Sequence, residues 1–290
     1  MKSCYLVTNR QPMNIEEKRK TVSRYILWAI IGLTVFEVML IGVGMAGSAY
    51  ALEAGMHIPT EFFVVAIVAL GGVGAIPIIF LIRRAGELGV MFWKEVAQLH
   101  GYTYVHRPYF QESALVFQQG HGRATVHGLM GTIQDRPFRF FQYRYTVGSG
   151  KNQQTHTYCV FEVVFAGTFP HVYLNNTRNR DLSGLKGFFL PRIPLPVELE
   201  KNCTLHGPHQ YEIEVLEIFT PDLLLHLLDA GWEHDLELVD QKLYVFREKP
   251  IRTKQEFEHE LGRLQELLAI LAPKLNRMKL TPIGDHVTTL

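Results

Sequence analysis

Between Arg24 and Glu53 the chain is apolar at nearly every position, and Glu37 is the one charge inside that run. A second run, FFVVAIVALGGVGAIPIIFLI from Phe62 to Ile82, carries no charge at all. A bilayer core of ~30 Å is crossed by about 20 residues at 1.5 Å rise each. Both runs reach that length. A helix in a soluble core keeps a polar stripe, and the second run has none. The pattern therefore predicts a cytosolic N-terminal segment (1–24) and a two-helix transmembrane hairpin (25–82). A cleaved signal peptide fits poorly: the first run is long, starts far from Met1, and a second follows at once. Asn14 and Glu17 read as a capping pair opening the first helix, with Met1 to Met13 as a loose tail.

The flanks predict orientation. Lys18, Arg19, Lys20 and Arg24 precede the first span, and Arg83 and Arg84 follow the second. The connection carries Glu53 and Glu61 but no basic residue. The positive-inside rule then places both termini in the cytosol of a multi-pass protein of the cell membrane. Arg83 and Arg84 are candidates for contact with anionic headgroups. Glu37 lies ~20 Å of helix from Arg24. An ionisable group at that depth is costly and is a candidate functional residue. Gly42/Ala46 and Gly71/Ala75 have small-xxx-small spacing, suited to packing within the hairpin or to a homo-oligomer. Pro77 is expected to bend the second helix.

Beyond Arg84 the period changes. Leu88, Phe92, Val96 and Leu99 continue a helix to about residue 100. Strands are then expected at 103–107, 123–133 (broken by Gly128 and Gly131), 136–147 and 155–166. The last two form an antiparallel hairpin around GSGKNQQ. The aromatics at 138 and 140, then 141, 143 and 145, suggest a bulge near Phe140. HVYL (171–174) reads as a further strand, and LSGLKGFFLPRIPLPVELE as a proline-rich crossing. NCTLHG and QYEIEVLEIF read as strands. Thr220-Pro221-Asp222 opens a helix that Gly231 stops. Residues 235–246 read as a hairpin turning at Asp240-Gln241. Thr253 and Glu256 form a capping box before a helix whose Phe257, Leu261, Leu264, Leu268, Leu271 and Leu275 step four and three; Pro273 should kink or stop it. This predicts an α+β class: after the hairpin, a mixed antiparallel-sheet domain with covering helices over 83–280 and a flexible tail, 281–290.

Composition narrows the function. The 290 residues hold 29 basic and 28 acidic side chains, a net charge of +1. That balance offers no electrostatic reason to expect nucleic acid. Three cysteines, far apart, make no disulfide framework, which fits a reducing compartment.

No catalytic motif stands out. GSGK at 148–151 lacks the phosphate-loop glycine, since position 145 is tyrosine, and lacks the hydroxyl residue, since position 152 is asparagine. Cys203, His206 and His209 have ligand-like spacing but no matching pair to complete a zinc site. No metal and no cofactor is implied. His127, His156 and Glu162 are the residues an enzyme reading would need to converge. Arg139, Arg144 and Lys151 beside the aromatic hairpin form a candidate surface patch for lipid headgroups or peptide.

The stretches FWKEVAQLHGYTYV, HGLMGTIQDRPFRFFQYRYTVGSGKNQQTHTYCVFEVVF, CTLHGPHQYEIEVLEIFTPDLLLHLLDAG and HDLELVDQKLYVF together resemble a family of uncharacterised two-span bacterial membrane proteins. That family is known as a domain of unknown function and is common in small-genome bacteria. The resemblance covers roughly residues 90 to 250. It implies a membrane-tethered domain without assigned activity, and it brings no functional residues with it. One departure is the short polar Glu200-Lys201-Asn202 before CTLHG, where the family often has a further aromatic segment.

The expectation is a membrane-anchored cytosolic interaction or lipid-sensing module. Its partners would be the lipid bilayer and a protein partner or a second copy of itself. The alternatives are a membrane-associated enzyme and a subunit of a transport or envelope complex that uses Glu37.

Overall fold

The computed structural model describes residues 14–53, 60–110, 113–179 and 190–277, with side chains 45–75 outside the description. The expectations for the N-terminal tail, the interhelical connection, the proline-rich crossing up to residue 189 and the C-terminal tail therefore lie outside the described residues. The chain divides into two compact units, 1–95 and 96–290.

The first unit holds two long helices, α1 (Ile15–Glu53) and most of α2 (Thr60–His100). Asn14 caps α1 through its side chain, which accepts from the Glu16 N–H at 3.4 Å. Among the described residues, Ile15–Gly44 is long and apolar enough to cross a membrane, and none of its most apolar window is buried. Leu27, Trp28, Val35, Val38, Met39 and Val43 all face outward. On α2, Ile76, Ile79, Phe80 and Ile82 do the same. The Arg19 guanidinium lies 4.4 Å over the Phe92 ring, which brings the start of α1 beside the end of α2. Pro77 sits inside α2 without ending it. The small-residue pairs Gly42/Ala46 and Gly71/Ala75 reach into side chains outside the described residues.

The second unit is the antiparallel sheet with helices expected of an α+β chain. Its strands are β1 (Thr103–Val105), β2 (His121–Ile133), β3 (Arg136–Val147), β4 (Gln154–Asn176), β5 (Arg192–Ile193), β6 (Cys203–His206) and β7 (Asp235–Arg247). They run in the order β1-β2-β3-β4-β6-β5, with β7 also paired to β4. The expected strand 171–174 is the far end of β4, where Tyr173 and Leu174 pair with β6 on one side and β7 on the other.

The sheet is buried on both faces, and this explains the aromatic pattern of β3. The register of β3 on β4 is unbroken from Phe138↔Val163 to Val147↔Gln154. The expected bulge near Phe140 is therefore not in β3. Phe138 and Phe140 turn to one face, Phe141, Tyr143 and Tyr145 to the other, and all five are buried. The bulge is in β2, whose Val126↔Gln142 and Leu129↔Phe140 pairings leave His127 and Gly128 opposite Phe141 alone.

Helix α6 (Lys254–Arg277) covers the first face. Its Phe257 packs edge-on to Phe140 at 5.2 Å, and Leu261, Leu264, Leu268, Leu271 and Leu275 are buried. The capping box forms: the Glu256 N–H donates to Thr253 Oγ1 at 3.1 Å and the Thr253 N–H donates to Glu256 Oε2 at 3.2 Å. Pro273 does not end the helix, which runs to Arg277. The second face is covered by the segment around Leu115–Gln118, whose Phe117 packs on Tyr143 at 4.9 Å and on Tyr244 at 5.5 Å.

Three shorter helices complete the unit: α3 (Val197–Glu200), α4 (Glu212–Ile218) and α5 (Pro221–Asp229). Thr220 caps α5 by accepting from the Leu223 N–H at 3.4 Å. Two expectations fail. QYEIEVLEIF is helical rather than a strand, because Val215 and Ile218 point inward at helical spacing while Ile213 stays exposed. Residues 235–246 are one continuous strand rather than a hairpin. Asp240 takes a left-handed φ of 55°, and the strand continues past it along β4.

Candidate functional site: an arginine-lined cleft at the edge of β2

The bulge at His127-Gly128 shapes the edge of the sheet. β1 pairs with β2 only over Thr103↔Met130 to Val105↔Gly128. Beyond that point the chain turns away from β2. A Cβ at position 128 would run into the Pro108 ring, so glycine is what lets the two segments close up here. The corner is tied in three places. The His127 N–H donates to the His106 carbonyl at 3.0 Å. Thr125 Oγ1 donates to the Pro108 carbonyl. The Tyr104 hydroxyl lies 3.2 Å from His106 Nδ1 and 3.1 Å from His127 Nδ1. One phenol proton serves one of those rings, so the other ring must donate its own Nδ1–H to the phenol oxygen.

The result is an open cleft of about 690 Å³ between residues 107–110 and residues 123–126 of β2, with Arg144 of β3 at its side. Arg107, Arg123 and Arg144 are among the described residues that line it. They come from three separate elements. Arg144 stands opposite Ala124 in the β2–β3 ladder. Arg123 is fixed by three backbone carbonyls, those of Gln118 at 2.9 Å, Gln119 at 3.0 Å and Gly120 at 3.2 Å. Gly120 accepts this loop because its φ is +53° and a side chain would strike the Thr146 backbone. The Tyr109 ring is 82% exposed at the rim. Phe110 packs inward on Phe117 at 5.1 Å and on Tyr143 at 5.2 Å, which anchors the cleft wall in the aromatic core. Guanidinium groups present planar forks of N–H donors that match oxyanions.

The sequence-derived candidates scatter against this geometry. Arg144 is in the cleft. Arg139 is not a surface residue of a patch; it is paired with buried Glu162, with Nε to Oε1 at 3.0 Å and Nη2 to Oε2 at 2.5 Å. It also donates from Nη1 to the Tyr109 carbonyl at 3.2 Å, which steadies the cleft rim from below. Lys151 is exposed in the turn between β3 and β4 and does not line the cleft. Arg107 and Arg123 carry no short-range sequence signal, since only the β1–β2 register brings them together. Glu37 is half-buried and Arg83 exposed in the first unit, where Arg84 pairs with Glu87 at 2.8 Å.

The residues an enzyme would need do not converge. His156 and Glu162 share a face of β4 but stand six residues apart, ~20 Å at strand rise. His156 is bonded to Glu248, and His127 is bonded to Tyr104. Cys203, His206 and His209 are also dispersed. The Cys203 thiol donates to the Leu199 carbonyl and its pKa is pushed up to about 11, with burial the main cause. His206 Nδ1 meets the Leu190 carbonyl at 3.3 Å, and His209 faces Glu212 at the surface. Among the described residues no three His, Cys, Asp or Glu side chains are grouped to hold a metal.

Elsewhere several buried ionisable groups pair with one another. Glu162 also faces Lys242 at 3.8 Å. Glu237 accepts the Leu115 N–H at 2.8 Å and meets His171 Nε2 at 2.6 Å. Its pKa is raised, chiefly by burial. His234 and Arg247 both reach Glu260, at 3.0 and 2.7 Å. Burial holds the His234 pKa down, with hydrogen bonding to Glu260 opposing. Asp235 is fully buried and its pKa is pushed up to about 8, burial being the largest cause. Its hydrogen-bond partners among the described residues are neutral: Oδ1 accepts from the Asn176 N–H at 2.8 Å and from Asn179 at 3.1 Å, and Oδ2 faces the Tyr173 hydroxyl at 3.2 Å.

No family model matches the chain, and no curated protein sequence matches it. Among solved structures, the mycobacterial trehalose monomycolate transport factor A is similar at 13% identity, over 62% of this chain and 94% of that one, with a TM-score of 0.42. A likeness at that level carries no argument about this chain.

Proposed function

We propose that this chain is a membrane-anchored binding module: a helical hairpin in the cell membrane, both termini on the cytosolic side, and an α+β unit that engages lipid or a protein at the bilayer surface. The reading is in keeping with the two-span family that the sequence resembles. The observation that carries the reading is the outward-facing apolar surface of Ile15–Gly44, which follows a basic cluster at its start and precedes a compact unit with an arginine-lined cleft. In water so continuous an apolar surface is unfavourable by roughly 25 cal/mol per Å². In lipid it is matched. The scatter of His127, His156 and Glu162 favours binding over catalysis.

The test is fractionation of the full chain together with a topology reporter fused after Leu290. The reading expects the protein in the membrane pellet, released by detergent but not by salt, with the reporter active on the cytosolic side. Recovery in the soluble fraction, or a reporter active outside the cytosol, overturns it.

A further inference from the structure

We propose that Tyr104, His106 and His127 form a binding site for one transition-metal cation of the kind that favours imidazole, Zn(II) or Cu(II). The inference goes beyond the function proposed above and does not depend on the anchor.

Three donor atoms from two segments converge. Tyr104 lies in β1 and His106 just past its end, while His127 comes from the bulge in β2. His127 takes a left-handed φ of 55°, a conformation unfavourable for a residue with a Cβ. Its N–H donates to the His106 carbonyl at 3.0 Å, which pins the two segments together. The Tyr104 hydroxyl oxygen is then 3.2 Å from His106 Nδ1 and 3.1 Å from His127 Nδ1. Those are the separations of neighbouring donors around one ion. Bonds of about 2.0 Å at tetrahedral angles set donor atoms about 3.3 Å apart. A small turn of each ring swings its lone pair from the phenol oxygen to the ion between them. Imidazole suits Zn(II) and Cu(II), whereas Mg(II) and Ca(II) take carboxylate, carbonyl and water oxygens. Binding releases the phenol proton to solvent, and the phenolate supplies one negative charge beside the ion. Burial raises the Tyr104 pKa, so that proton stays in place until a cation displaces it. His106 is exposed, which opens the fourth position to water. The chelate is largely assembled before the ion arrives, so little ordering entropy is lost on binding.

The experiment is isothermal titration calorimetry on the tag-free full chain in phosphatidylcholine nanodiscs. The probes are zinc chloride and, for comparison, magnesium chloride. Saturable binding of one zinc ion per chain, and none of magnesium, is the expected result. His106→Ala and Tyr104→Phe should each weaken zinc binding tenfold or more with the near-UV circular dichroism unchanged. His127→Asn, a residue type that tolerates the left-handed backbone, should weaken it likewise. His121→Ala, on the same strand but outside the cluster, should leave it intact. Titration in two buffers of different ionisation heat counts the protons released, and Tyr104→Phe should release one fewer. With copper(II) chloride the parent should show a phenolate-to-copper absorption band that Tyr104→Phe abolishes. No zinc binding by the parent, or zinc binding unchanged in His106→Ala or in Tyr104→Phe, overturns the proposal and leaves adventitious binding to surface histidines only.

Discussion

Glu162 shows how single side chains hold the sheet. It is 2% exposed on β4, with Arg139 on one neighbouring strand and Lys242 on the other. Removing the acid leaves two cations facing each other in a low-dielectric layer. Breaking a buried pair from one side typically costs ~3–5 kcal/mol. Glu162→Gln should therefore lower the unfolding free energy by about 3 kcal/mol in chemical denaturation followed by tyrosine fluorescence. Asp235 works in the opposite sense, because its stable form is the neutral one. Tyr173 Oη lies 3.1 Å from Asn175 Oδ1 and 3.2 Å from Asp235 Oδ2. Its one proton serves one of these acceptors. A protonated Asp235 completes the chain by donating to the phenol oxygen, while the phenol donates to Asn175. With the folded pKa raised to about 8 from an ordinary carboxylate value, this group's contribution is full below about pH 4 and is lost as pH rises through 8. Its slope approaches about 1.4 kcal/mol per pH unit in that window. Asp235→Asn mimics the neutral acid. The variant should show a flatter stability profile between pH 5 and 9 than the parent, measured by urea midpoints; identical slopes would refute the assignment.

At the scale of elements, caps and long periodic faces were legible in the chain, and short ambiguous ones were not. Helix α6 is announced by Thr253 and Glu256 and by leucines at fours and threes, all of which end up where the period puts them. Thr253→Ala should cost ~1 kcal/mol through the lost cap. Leu268→Ala should cost ~2–5 kcal/mol through the cavity it leaves against the sheet. Thermal melts of the two variants give that order. The strand expected at α4 does not form because seven residues, EIEVLEI, satisfy a period of two and a period of 3.6 about equally well. Which one wins depends on what packs on Val215 and Ile218. The hairpin expected within β7 rests on Asp240-Gln241, a good turn signal locally. In the structure, Val164↔Lys242 and Phe169↔Asp240 leave only Gln241 opposite residues 165–168, so the left-handed Asp240 matches an irregularity in β4 instead of reversing the chain. In β2, Gly128→Ala would drive a methyl into Pro108. Overpacking of this kind costs ~1–3 kcal/mol, and a lowered melting temperature is the expected reading.

For the whole molecule, the proposed anchor would put the helical unit and the sheet unit in two different solvents. The described part of α1 has apolar side chains on all sides, whereas the sheet unit buries its aromatics on both faces. The full chain should stay in the pellet through an alkaline carbonate wash. Glu37→Gln should not release it, because the whole run from Tyr25 to Leu52 still exceeds the about 20 residues that one crossing needs. Appearance of either protein in the wash would count against the anchored arrangement.

What the chain's own order of residues determined was everything that depends on near neighbours: the apolar runs, the β3–β4 hairpin, the caps of α1, α5 and α6, and the α+β class. These signals are local because helix and strand periods, and the reach of a capping hydroxyl, extend over only a few residues. Tertiary structure alone decided the rest. It put cover on both faces of the sheet, so the aromatics of β3 alternate without a bulge. It paired Arg139 with Glu162, taking one candidate out of the surface patch. It also drew Arg107 and Arg123 to Arg144 by a strand register. Register is chosen by the packing of whole faces, and no short window of sequence contains that information.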